Sequence, residues 1–159
     1  MPGTHTKWVT VADGQVLGFG SYMTGEIFAL LEQNSVLRQS LAGAGWDDDA
    51  FQAALSEVLT DRNVALSSLF SLRAGDLLNG SEASTSRARL SAYLIGAEVN
   101  AAASQWTHQD VALVGAPDLL TLYTSALVMK GCTPCLFTAD ELTLKGLFAA
   151  KALLIDGEF

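Results

Sequence analysis

The sequence predicts an α/β domain built around a mixed sheet, and three observations lead there. The chain opens with two strand-like runs joined by Asp13-Gly14, a hairpin signal. Its last third alternates short apolar strands with helical stretches, the order expected of parallel strands joined by helices. Half of the 159 residues are apolar and 16% are charged, enough for one domain (residues 1–159) with a real core.

The strand-like runs are Lys7 to Ala12 and Gln15 to Met23. A two-residue turn between them pairs Val11 with Val16 and Val9 with Gly18 on one face, and Thr10 with Leu17 and Trp8 with Phe19 on the other, bulkier face. Thr24 is placed to cap a helix whose apolar side is Ile27, Phe28, Leu30, Leu31 and Leu37. Gly43 and Gly45 break the chain, and Asp47 to Asp49 open a second helix carrying Phe51, Ala54, Leu55 and Val58. A third, short helix holds Leu66, Leu69, Phe70, Leu72, Leu77 and Leu78. Asn79 to Ser86 is small, polar and loop-like. It leads into a long helix with Leu90, Tyr93, Leu94, Ala97 and Ala101 at helical spacing.

Val111 to Val114 then reads as a strand. Gly115-Ala116-Pro117 turns it into a helix, with Pro117 suited to the first helical position. Leu119, Leu120, Tyr123, Ala126 and Leu127 form that helix's stripe, and Gly131 ends it. Cys135 to Phe137 is a last strand. Thr138 and Glu141 make a capping box for a final helix with Leu142, Leu147, Phe148, Ala149 and Leu153.

The net charge is −8. Such a surface argues against a nucleic-acid partner, which calls for Lys and Arg clusters. Local backbone dipoles can still hold an anion against it. No apolar run reaches the roughly 18 to 20 residues that cross a membrane, and no secretory leader is visible, so a cytoplasmic protein is expected. Cys132 and Cys135 are spaced C-x-x-C. The histidines, His5 and His108, lie far off in sequence, and the pair runs from a helix end into an apolar strand. Ordinary free cysteines are therefore expected, with a thiol-redox or metal module as the alternative.

Pro2-Gly3-Thr4-His5-Thr6-Lys7-Trp8 sets a Gly-Thr pair at the front of the first strand. Backbone N–H groups and hydroxyls are then available to a phosphate. Glycine lets the backbone approach closely, Thr4 and Thr6 offer hydroxyl donors, His5 offers a ring N–H or shapes the turn, and Lys7 is near enough in sequence to add charge unless strand alternation points it elsewhere. An ordinary hairpin lead-in is the rival reading.

This stretch resembles the phosphate turn of the 2-dehydro-3-deoxygalactonokinases, ATP-dependent sugar-acid kinases. Further blocks look like that family in the same order: Tyr22-Met23-Thr24-Gly25-Glu26-Ile27-Phe28-Ala29-Leu30-Leu31, Ser35-Val36-Leu37, Leu69-Phe70-Ser71-Leu72-Arg73, Tyr93-Leu94-Ile95-Gly96-Ala97-Glu98, and Val114-Gly115-Ala116-Pro117-Asp118-Leu119 with Tyr123 and Ala126-Leu127. The resemblance covers nearly the whole chain. It implies a ribonuclease-H-like, actin-like lobe with a mixed sheet, equivalent to the C-terminal, nucleotide-binding lobe of a two-lobe enzyme. It implies Mg-ATP and phosphorylation of 2-dehydro-3-deoxy-galactonate to its 6-phosphate. The ATP phosphates would meet Gly3, Thr4, His5 and Thr6, and the adenosine would meet Gly115, Ala116, Pro117 and Leu119.

Against the family plan only Met1 precedes the turn. The lobe's first strand and the N-terminal lobe, with the sugar contacts and the general base, are expected to be missing, and the isolated chain to be inactive. Glu26 and Glu98 are read as structural, Arg87 and Arg89 as solvated, and Trp106 and His108 as surface loop residues. The rival function is a non-catalytic interaction domain, a homodimer formed through the unpaired sheet edge.

Overall fold

The structure, a computed structural model, describes residues 1–156. β1 (Thr6–Ala12) and β2 (Gln15–Tyr22) form the leading hairpin. Four helices follow: α1 (Thr24–Asn34), α2 (Asp48–Thr60), α3 (Val64–Asn79) and α4 (Ala83–Ala101), with a short α5 (Ala103–Trp106). The chain then alternates through β3 (Ala112–Gly115), α6 (Pro117–Met129), β4 (Cys135–Thr138) and α7 (Ala139–Asp156). The α/β class and the element order are as expected from the sequence.

Asp13 and Gly14 both adopt left-handed φ, +50° and +73°, the requirement of a type I′ turn. Ala12 faces Gln15 and Val11 faces Val16. Beyond that the expected register fails. A bulge accommodates Leu17 as an extra residue, so Thr10 faces Gly18, Val9 faces Phe19 and Trp8 faces Gly20. With no side chain opposite at Gly20, the Trp8 indole turns into the core, while Phe19 is left outside at 70% exposure.

The strands do not join into one mixed sheet. β1 and β2 pair antiparallel, β3 and β4 pair parallel, and these are two separate sheets. A cavity of about 80 Å³ lies between them, lined by Lys7 and Val9 of β1 and by Ala112 and Leu113 of β3. Met1 stands at its mouth: its amino group donates to the Lys7 carbonyl (2.7 Å), and the Lys7 N–H donates to the Met1 carbonyl (3.0 Å).

α4 is the central helix and packs on α1, α2, α3 and α6. It is buried nearly all round, from Ser86 to Val99, and not along the single predicted stripe. Ala101 of that stripe is exposed. Small residues make this burial feasible. A Cβ on Gly96 would stand 2.2 Å from Val58 Cγ1 of α2. Phe51, Leu55 and Val58 of α2, Leu90, Tyr93 and Val99 of α4, and Leu127 of α6 fill the core.

Other local expectations need correction. Asp47 does cap α2, accepting from the Ala50 N–H at 3.0 Å. Thr24 does not cap α1: Met23 holds the cap position with no side-chain bond, and the Thr24 hydroxyl goes to Glu98. α4 starts at Ala83, inside the predicted loop. α3 is longer than predicted, and only Ala65 and Leu72 of it are buried. Leu66, Phe70 and Leu77 share its opposite face and are at least 65% exposed. Trp106 is no surface residue: it is buried in α5 and donates to the Val99 carbonyl at 3.0 Å. Among the described residues no helix is long and apolar enough to cross a membrane.

Candidate functional site

The turn from Pro2 to His5 is pinned on two sides. Pro2 is buried against the end of β3, where a Cβ on Gly115 would lie 3.2 Å from Pro2 Cγ. Gly3 and Thr4 lie against the first turn of α1. A Cβ on Gly25 would stand 2.5 Å from the Gly3 carbonyl oxygen and 2.8 Å from Thr4 Cα. The Glu26 N–H donates to the Thr4 carbonyl at 3.0 Å. Gly25 is thus a close-approach glycine, whereas around Gly3 itself nothing lies within 4 Å of a built Cβ. Thr4 and His5 are exposed, and His5 Nε2 pairs with Glu26 Oε2.

Thr6 corrects the sequence reading. It is 1% exposed, and its hydroxyl lies 3.0 Å from the Tyr123 hydroxyl, inside the protein. Strand alternation carried this signal: Thr6 shares a face with Trp8, so an inward Trp8 takes Thr6 with it. Its hydroxyl is therefore turned away from a ligand on the turn.

Glu98 sits beneath this corner at 3% exposure. Its Oε1 accepts the Trp8 indole N–H at 2.8 Å. Its Oε2 accepts the Tyr123 hydroxyl at 2.7 Å and the Thr24 hydroxyl. Tyr123 spends its only proton on Glu98, so Thr6 donates to Tyr123. Burial, reinforced by the Glu98 charge, holds the Tyr123 phenol far above its ordinary pKa. Burial lowers the pKa of the Met1 amino group, with Glu98 pulling the other way. The structural role read for Glu98 from sequence gains partners that spacing could not reveal.

A cleft of about 290 Å³ opens above the network. Gly3, Thr24 and Gly25 form one wall. Phe28, Trp46, Leu94, Leu119 and Leu122 make it largely apolar. Arg87 stands at its rim and is not solvated as expected: it pairs with Glu32 and donates to the Leu41 and Gly43 carbonyls, both at 3.0 Å. Arg89 is likewise engaged, donating to the Tyr93 hydroxyl at 2.8 Å. Of the predicted adenosine residues, Leu119 shares the cleft with Gly3. Gly115 is buried beneath Pro2, and Ala116 and Pro117 are exposed at the α6 N-terminus. Sequence reasoning missed Phe28, Trp46 and Arg87, which come from elements distant in the chain.

The cysteines are free, Cys132 half-buried and Cys135 exposed on β4. Burial and the Asp110 charge push the Cys132 thiol up, opposite to the shift that activates redox thiols. Among the described residues no cluster of three or more His, Cys, Asp or Glu side chains is arranged to hold a metal.

Residues 1–150 match the family model described as 2-keto-3-deoxy-galactonokinase. The chain belongs to the 2-keto-3-deoxy-galactonokinase family. It is 42% identical over 154 residues to a Rhizobium meliloti (strain 1021) protein assigned as a 2-dehydro-3-deoxygalactonokinase, covering 94% of this chain and 50% of that one. It is 33% identical over 148 residues to the 2-dehydro-3-deoxygalactonokinase of Escherichia coli (strain K12), again covering 50% of the relative and 92% of this chain. A crystal structure of a Sinorhizobium meliloti protein given the same assignment superposes with a TM-score of 0.87 at 40% identity, over 97% of this chain and 52% of the other. This 2-keto-3-deoxy-galactonokinase family chain therefore spans about half the length of the relatives it matches.

Proposed function

We propose that this chain is the ATP-side lobe of a two-lobe kinase that transfers the γ-phosphoryl group of Mg-ATP to the terminal hydroxyl of 2-dehydro-3-deoxy-galactonate. One observation carries the reading. Gly3 of the predicted phosphate turn and Leu119 of the predicted adenosine segment, 116 positions apart (119 − 3), line one cleft. The triphosphate would lie over Gly3, Thr4 and His5, and the nucleoside along the apolar wall toward Leu119. Phosphoryl transfer is chiefly positioning and charge stabilisation, so a lobe that only holds the donor contributes by orientation. The sugar acid and the general base belong to the opposing lobe, and the isolated chain is inactive. Mg²⁺ would be held by the triphosphate and water, as is usual for this ion. Use of ATP as donor fits a cytoplasmic protein.

The lobe is ribonuclease-H-like. The gap between the sheets and the reciprocal Met1–Lys7 pair support that assignment, since the pair has the form of an antiparallel bridge. Bare apolar faces support a missing half. Leu144, Leu147, Phe148 and Ile155 of α7 are all at least 57% exposed and share one side of the helix. Each of the two sheets has only two strands, so each strand has an unpaired edge among the described residues; this favours a second reading, edge-to-edge homodimerisation, which light scattering at rising concentration would detect.

Gly3→Val tests the first reading. Nothing lies within 4 Å of a Cβ there, so the first added carbon meets open space, and urea unfolding of the variant separates a defect of the fold from a lost ligand contact. Calorimetric titration with Mg-ATP should show binding by the chain and at least about tenfold weaker binding by Gly3→Val, the consequence of blocking backbone approach to phosphate. No binding by the native chain, or equal binding by Gly3→Val, refutes the assignment. ATP-dependent phosphorylation of the sugar acid by the 159-residue chain refutes the half-enzyme reading.

A further inference from the structure

Among the described residues, Glu98 is the only buried side chain that carries a charge, and no cationic side chain accompanies it. Its donors are neutral: an indole and two hydroxyls, from β1, α1 and α6. A buried carboxylate is costly to desolvate, so a mere core filler would be better apolar. What distinguishes this one is where its partners stand in the chain. Thr24 immediately precedes Gly25, where an added Cβ would meet the Gly3 carbonyl, and Glu26, whose N–H holds the Thr4 carbonyl. Tyr123 holds Thr6, the residue on which the turn enters β1, and Trp8 fixes the same strand two residues on. One carboxylate therefore anchors both flanks of the turn.

We propose that Glu98 is the positioning residue of the Gly3–Thr6 turn. It touches no ligand. It acts through Thr24 on one side and through Tyr123 and Trp8 on the other. Its acceptor oxygens keep the three donors pointing inward, which orients the turn's backbone toward the cleft. The role rests on the proposal that this turn receives phosphate, but the geometry of the turn can be measured without any nucleotide.

Glu98→Gln is the decisive variant. It keeps shape but presents an NH₂ group where donors already converge, so at least one of the bonds to Trp8, Thr24 and Tyr123 must break. Hydrogen exchange is read at the Lys7 and Glu26 amides, which bond to Met1 and Thr4, and at the Asp61 and Gly80 amides, which bond to Glu57 and Asp76 in α2 and α3. The proposal expects Lys7 and Glu26 to exchange about tenfold faster or more, the scale of one charge-assisted bond, with Asp61 and Gly80 unchanged. Mg-ATP affinity should fall in parallel. Thr24→Val and Tyr123→Phe each remove one donor and should give the same local pattern in smaller measure, including where Glu98→Gln fails to fold. Uniform acceleration across all four amides in those milder variants, or none at Lys7 and Glu26, overturns the role. Local loosening in a chain that binds no nucleotide leaves Glu98 as the anchor of the turn and refutes only the phosphate reading.

Discussion

Gly25→Ala tests how the turn is built, because one methyl group meets backbone there. The added carbon would stand 2.5 Å from the Gly3 carbonyl oxygen and 2.8 Å from Thr4 Cα. Neither atom can rotate away as a side chain would, so α1 or the turn must move. Overpacking of this kind costs about 1–3 kcal/mol. Displacing α1 also strains the 3.0 Å bond from Glu26 to Thr4, worth about 1 kcal/mol. Against these stands the gain from replacing glycine in a helix, about 0.5–1 kcal/mol. The net expectation is a loss of about 1–3 kcal/mol. Urea unfolding at fixed m-value reads it directly. Gly146→Ala is the control: it too lies within a helix, α7, but nothing is within 4 Å of its Cβ, so it should be stabilised by the propensity gain alone. If Gly25→Ala matches Gly146→Ala in stability, and binds Mg-ATP as the native chain does, then the close contact between α1 and the turn does not exist in solution.

Gly96→Ala should destabilise by about 1–3 kcal/mol in the same assay, since its Cβ would lie 2.2 Å from Cγ1 of Val58, a stiff β-branched side chain fully buried between α2 and α4. Alkaline unfolding should expose Tyr123. Its folded pKa lies above the unfolded value of about 10, so the folded state retains a proton that the unfolded state loses, and the contribution present below pH 10 is lost progressively as pH rises from there toward the folded pKa. The slope of stability against pH above 10 should therefore be steeper for the native chain than for Tyr123→Phe, and equal slopes would refute the burial of the phenol. Iodoacetamide at pH 8 should label Cys135 before Cys132, which is half-buried with its thiol pushed up, and mass spectrometry of the partly labelled chain decides the order.

What the sequence disclosed tracks the range of the forces involved. Asp13-Gly14 was legible because a two-residue hairpin demands positive φ at both positions. Asp47 and Pro117 were legible because helix ends have local chemical requirements. The bulge at Leu17 was not, since the run Val16-Leu17-Gly18-Phe19-Gly20 fits either register and only tertiary packing of Trp8 selects one. The cleft was half legible. Gly3 and Leu119 were named from their motifs, but Trp46, Phe28 and Arg87 reach it from helices and loops with no local signature. The Glu98 network was the least accessible, with its partners 90, 74 and 25 residues away.

On the proposed phosphate reading, the corner also accounts for how a chain of net charge −8 would offer a place to an anion. Two of the side chains beside it are already occupied, Arg87 by Glu32 and His5 by Glu26. Long-range attraction is therefore not the source of affinity. The Glu98 charge is answered by three donors turned inward, so it does not face the cleft undressed. What remains for a phosphate is backbone at Gly3 and Thr4, the first turn of α1 beside it, and the Thr4 hydroxyl. These dipoles act over a few ångströms and only in the right orientation. Affinity at such a corner depends on geometry more than on charge. If the proposed reading holds, that places the weight of nucleotide binding on Gly25 and Glu98, which set the geometry, and it makes weak binding by this lobe alone the physical expectation until the opposing lobe's donors close on the same triphosphate.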